Sequence, residues 1–138
     1  MRRRTKAREF ALQILYQIDI TAENAEIAID NFWQLSVEED VDQEIKAFTT
    51  ELVRGVAANL KAIDEYISRY ATNWQLNRMA FVDRNILRMG CCEIVFRSDI
   101  PLKVAINEAV ELAKKYSGIE AGKFVNGILD KVKLEKKA

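Results

Sequence analysis

The sequence predicts an all-α fold, and three observations carry the prediction. Across 138 residues there are one proline and five glycines, below the about 5% and 7% of average chains, so the punctuation that sets off strands and tight turns is scarce. Apolar residues make up 49% of the chain and recur in steps of three and four, the period of a helix buried along one stripe. The length is that of one ordinary domain, able to bury roughly two thirds of its unfolded surface around a single core.

Each helix can be justified in turn. Ala7, Phe10, Ala11, Ile14 and Ile18 share a face and predict a first helix over 5–18, with Thr5 as its N-cap. A second, near 24–35, carries Ile27, Phe32, Trp33 and Leu35. Asp40 and Gln43 have the spacing of an Asp-headed capping box and open a long stretch in which Ile45, Phe48, Leu52, Val56, Leu60, Ile63, Ile67 and Tyr70 keep the period, with Gly55 and Asn59 as places to break it in two. Polar residues over 71–77 read as a connection. The segment 79–96 is apolar on nearly every side and is the expected central helix, with Asp83 able to cap a restart within it.

Pro101 stands where a first helical turn tolerates a missing N–H. Beyond it Ala105, Ala109, Leu112 and Tyr116 share a buried face, Glu111 pairs with Lys115 one turn on, and Gly118 ends the helix by a left-handed cap. A last helix over about 120–134 buries Val125, Ile128, Leu129 and Val132, and the lysine-rich tail frays.

Charge is segregated although the formal sum is zero. Residues 2–9 hold Arg2, Arg3, Arg4, Lys6 and Arg8 against Glu9, a net of +4; residues 19–51 hold ten acids against Lys46, a net of −9; from Lys114 onward seven lysines face three acids, a net of +4. Basic ends and an acidic middle suit a chain that turns one face to a polyanion and another to a basic partner. No apolar run is long enough for a membrane span and the charged start lacks a secretory pattern, so a cytoplasmic location is expected. There is no histidine, and the adjacent Cys91 and Cys92 fit neither a disulfide scaffold nor a metal pair, so no metal and no cofactor are expected.

Four cations before or at a helix start oppose the helix dipole, a local conflict that hints at function rather than folding. Arginine's planar fork binds two phosphate oxygens at once; the plainer alternative is a solvated basic tail. Lys123-Phe124-Val125-Asn126-Gly127 opens the last helix, where amide groups favour an anion and Phe124 is placed either to stack on an unpaired base or to fill the core. Catalysis finds little support: there is no Gly-rich phosphate loop or nucleophile elbow, Glu93, Glu108 and Glu111 read as surface ion pairs, and neither cysteine has an activating histidine.

Two long motifs carry a resemblance to a known family. Residues 2–16, Arg-Arg-Arg-Thr-Lys-Ala-Arg-Glu-Phe-Ala-Leu-Gln-Ile-Leu-Tyr, and residues 101–114, Pro-Leu-Lys-Val-Ala-Ile-Asn-Glu-Ala-Val-Glu-Leu-Ala-Lys, followed by 123–130, resemble the bacterial NusB antitermination factors over nearly the whole chain. The resemblance implies two small antiparallel helical bundles packed as one compact domain of about seven helices, with 1–4 a flexible basic arm. It implies a non-enzymatic factor that binds boxA RNA together with the ribosomal protein NusE. That complex then joins an antitermination assembly on RNA polymerase, notably in ribosomal RNA synthesis. Arg2, Arg3, Arg4, Lys6, Arg8, Lys123 and Phe124 would face RNA, and Tyr16, Asp83 and Arg88 the NusE partner. Gly122 departs from the family, where a polar side chain is common, and is expected to loosen the start of the last helix.

Two other function classes stand beside this one. Some RNA methyltransferases carry a NusB-like domain ahead of a catalytic one; no Gly-rich cofactor loop follows here, so methyl transfer is not expected. A structural module that self-associates, with a homodimer in the free state, is the third.

Overall fold

The computed structural model describes residues 2–36 and 40–136. Seven α-helices run in order, α1 (Arg2–Thr21), α2 (Ala25–Asn31), α3 (Gln43–Ala58), α4 (Leu60–Tyr70), α5 (Phe81–Phe96), α6 (Leu102–Ser117) and α7 (Ile119–Val132), and no strand occurs among the described residues. The periodic stretch from Ile45 to Tyr70 breaks at Asn59, not at Gly55, and there the chain divides into two compact units, Met1–Ala58 and Asn59–Ala138.

In the first unit α1 packs against α3. Ala7, Ala11, Ile14 and Leu15 meet Phe48, Leu52, Val53 and Val56 in a core that also takes Ala28, Ile29 and Phe32. Asn24 caps α2, its Oδ1 accepting from the amides of Glu26 at 2.9 Å and Ile27 at 3.4 Å. After Asn31 the helix widens into a π-helical turn, Phe32–Ser36, where Phe32 and Trp33 meet edge to face with centroids 5.0 Å apart and both pack on Phe10. The expected Asp40–Gln43 box gives way to Asp42, whose Oδ1 accepts from the Glu44 amide at 2.8 Å and so satisfies one orphan donor of α3. Ala22, at φ 58°, closes α1 in the left-handed region without being a glycine.

The second unit is built on α5, which buries ten residues from Asn85 to Val95. Asp83 lies in its first turn and Ala80 at its N-cap, so no restart occurs. Around α5 lie Ile63 and Ile67 of α4, Ala105, Ala109, Leu112 and Ala113 of α6, and Val125, Ile128, Leu129 and Val132 of α7. Gly90 permits the close approach of α7: a Cβ there would stand 2.6 Å from Leu129 Cδ1. Gly122 serves α6 in the same way, since a Cβ would meet Lys114 Cγ at 2.8 Å. Gly122, expected to loosen the start of the last helix, lies within α7 and lets it approach the Lys114 stem.

Four surface readings need correction. Glu93 is 2% exposed, buried in the core rather than in a surface pair. Glu111 pairs with Lys114, three residues on, at 3.3 Å rather than with Lys115. Tyr116, expected on the buried face, is exposed, with the Lys115 ammonium over its ring at 5.3 Å. Of the tail expected to fray over 135–138, residues 137 and 138 lie outside the described ones, while Glu135 ends a 3-10 turn, Lys133–Glu135. There it accepts from Arg69 Nη1 at 2.6 Å and from the Tyr70 hydroxyl at 2.5 Å.

Candidate nucleic-acid interface

The basic start of the chain is helical. α1 begins at Arg2, three residues before the periodicity predicted, and its first turn holds no acid. Such an end is unfavourable by the dipole rule, and the compensation comes from a segment far away in sequence. Arg3 Nη1 donates to Glu44 Oε2 at 2.8 Å and Nη2 lies 3.9 Å from Asp42 Oδ2. These two carboxylates raise the Arg3 pKa, the Glu44 hydrogen bond most and the Asp42 charge next.

The cations of this turn divide by environment. Arg3, Arg4 and Lys6 are exposed. The Arg4 guanidinium sits 4.6 Å over the Phe48 ring, and Lys6 Nζ lies 4.8 Å over Phe10 and 3.8 Å from Glu9 Oε1. Arg8 is 2% exposed, with its guanidinium 5.1 Å from the Phe48 centroid. Burial removes Arg8 from the groups that a phosphate can reach without rearrangement; its role is to wedge α1 against α3.

The second candidate group lies in the other unit. Lys123 projects from α7, with 71% of its side chain exposed and Glu120 Oε1 at 3.5 Å. Phe124 is half-buried, its ring edge to face with Trp74 at 5.8 Å. Both rings line a cleft of about 430 Å³ together with Arg78, Asp83, Ser117 and Glu120. Asp83 Oδ1 is buried beside this cleft with no hydrogen-bond partner. Trp74 was visible in the sequence only as one aromatic among several; what marks it is its exposure of 57%, which no pattern in the chain signals.

The remaining predicted partner residues sit apart in kind. Tyr16, on α1, is 39% exposed. Arg88 forms a two-toothed ion pair inside the second unit, Nε to Asp64 Oδ1 at 2.9 Å and Nη2 to Oδ2 at 3.0 Å. It ties α4 to α5 and has only 12% of its side chain exposed. Cys91 and Cys92 are buried, and burial pushes both thiols up to about 12, so they stay neutral at physiological pH and are poor nucleophiles. No helix among the described residues is long and apolar enough to cross a membrane.

The chain is similar to known proteins in both sequence and fold. Residues 5–133 match the model of the NusB family. The transcription antitermination protein NusB of Anaeromyxobacter dehalogenans (strain 2CP-1) is 53% identical over 130 residues, covering 94% of this chain and 89% of that protein. The solved structure of T. maritima NusB superposes with a TM-score of 0.87 at 38% identity, covering 98% and 93% of the two chains. A NusB solved with NusE and double-stranded RNA gives a TM-score of 0.82 at 29% identity, covering 97% and 98%.

Proposed function

Because the chain belongs to the NusB family, we propose that it is a non-enzymatic, cytoplasmic antitermination factor. In this reading it binds boxA RNA together with the ribosomal protein NusE and joins an antitermination complex on RNA polymerase, notably at ribosomal RNA operons. The observation that carries the reading is the exposed basic turn of α1, where Arg3, Arg4 and Lys6 cluster at a helix N-terminus and pair guanidinium charge with amide dipoles. A relative solved with NusE and RNA supports it.

Phosphate contacts set affinity and register, whereas base contacts set sequence. We assign the first to Arg2, Arg3, Arg4 and Lys6, with Arg8 positioning their helix, and a further contact to Lys123 and Phe124, whose ring lines the cleft and would stack on an unpaired base. Tyr16 and Asp83 are the proposed NusE contacts, with Arg88 holding α5 in place through Asp64. The free chain is proposed to form a homodimer that RNA and NusE dissociate.

The test is titration of a labelled single-stranded boxA RNA with the full chain, with and without NusE, over a salt series. Tight binding with NusE present and a log–log slope of about −0.7 per phosphate contact is the expected result. Affinity insensitive to salt and unchanged by Arg3→Gln/Arg4→Gln/Lys6→Gln would overturn the reading.

A further inference from the structure

The first turn of α3 presents to Arg3 what a phosphate would present. A phosphodiester offers a guanidinium two anionic oxygens, one to each terminal nitrogen. Here Nη1 meets Glu44 Oε2 at 2.8 Å and Nη2 faces Asp42 Oδ2 at 3.9 Å. The pair is exposed on both sides, with 62% of the Arg3 side chain, 40% of Asp42 and 74% of Glu44 open to solvent, so nothing steric keeps a ligand out. Asp42 is also fixed in place, since its other oxygen caps α3 through the Glu44 amide.

From this geometry, and resting on the reading that the α1 turn binds RNA, we infer that Asp42 and Glu44 are affinity-setting residues: an internal competitor that RNA phosphate must displace from Arg3. Their hold on Arg3 is electrostatic and is strongest at low ionic strength, where screening is weakest. Removing it therefore tightens binding most at low salt and steepens the dependence on salt. The cost of displacement is modest, because exposed ion pairs are weak. The competition trims affinity without abolishing it and penalises any ligand that contacts this turn alone.

The experiment compares four forms of the full chain by fluorescence anisotropy with a short fluorescein-labelled single-stranded RNA across a salt series: wild type, Asp42→Asn/Glu44→Gln, Arg3→Gln, and the triple variant. Asparagine keeps an N-cap oxygen for α3, and circular dichroism checks the fold; Glu44→Gln alone, which leaves the cap untouched, is expected to move in the same direction. The double variant should bind roughly two- to five-fold more tightly at low salt, the range to which an exposed ion pair corresponds, with a slope steeper by up to about 0.7. In the Arg3→Gln background the gain should vanish, which separates competition at this guanidinium from general charge. Unchanged or weaker binding by a folded double variant, with wild type still binding, overturns the inference and leaves the RNA reading standing. A gain that persists without Arg3 also overturns it. Failure of every form to bind RNA, with or without NusE, removes the RNA reading itself.

Discussion

The hydroxyl of Thr49, midway along α3 and 0% exposed, lies 3.1 Å from the carbonyl oxygen of Ala7 on α1 and 2.8 Å from that of Ile45 on its own helix. One donor thus bridges the two helices beneath the turn that carries the exposed cations. Thr49→Val keeps the shape and removes the donor. Its expected cost is about 1 kcal/mol, seen in urea unfolding as a lower midpoint with an unchanged slope. An unaltered midpoint would mean that the bridge contributes nothing net.

Stability and RNA binding should separate between two arginines five residues apart. Arg8→Met loses the buried guanidinium beside Phe48 and is expected to cost roughly 1–3 kcal/mol of stability. Arg3→Gln, at the surface, should leave the thermal midpoint nearly unchanged and weaken RNA binding instead. The check is a melt and an RNA titration on each variant; equal effects of both on both readouts would contradict the division drawn between them.

Two glycines make opposite forecasts. In Gly90→Ala the new methyl meets Leu129, itself 0% exposed, at 2.6 Å, with Ala109 at 3.4 Å, so about 1–3 kcal/mol of overpacking is expected. In Gly122→Ala the obstacle is Lys114, whose side chain is 48% exposed and can swing aside, while the helix gains up to about 1 kcal/mol of propensity. A near-neutral result is expected there. Denaturant melts decide, and a Gly122→Ala loss as large as that of Gly90→Ala would show that Lys114 is locked.

The tail contact responds to alkali. The hydrogen bond from Tyr70 to Glu135, burial, and the nearby carboxylate charge all raise the phenol above its ordinary value of 10.0. A group raised on folding contributes stability that is fully present below its unfolded value and lost as pH climbs through the folded one. Wild type should therefore lose stability relative to Tyr70→Phe as pH rises past about 10, and the difference between the two should be flat from neutrality up to that range. A difference that changes between pH 6 and 9 would assign the linkage elsewhere.

Local pattern made the helices legible, and distant partners explain what it missed. The Asn59 break and the α6–α7 boundary at Gly118 both follow from neighbours in the chain. The extra turn of α1 does not: it read as an unfavourable start until Glu44 and Asp42, about forty residues on, supply a countercharge to Arg3. Glu93 and Tyr116 were placed on the wrong side for a related reason. Which face of a helix is covered depends on the neighbour that arrives, and Glu93 belongs to a helix surrounded on most sides. Ala22 shows the limit of turn chemistry as a guide, because it ends α1 in a conformation usually signalled by glycine. At the candidate site, the basic turn was visible as composition, whereas the carboxylates that answer it, the burial of Arg8, and the cleft shared by Trp74, Phe124 and Asp83 are properties of packing alone.

Gly118 is the whole connection between α6 and α7, serving as the cap of both. Its torsions, φ 110° and ψ 171°, fall where only glycine is at ease, yet a Cβ placed there would meet nothing within 4 Å. The position therefore selects for handedness rather than size. A D-alanine, for which these torsions are the mirror image of ordinary extended backbone, would adopt them without backbone strain and narrow the unfolded ensemble, whereas its L-enantiomer would not. The joint is a chiral one: its backbone suits a D residue better than any L residue.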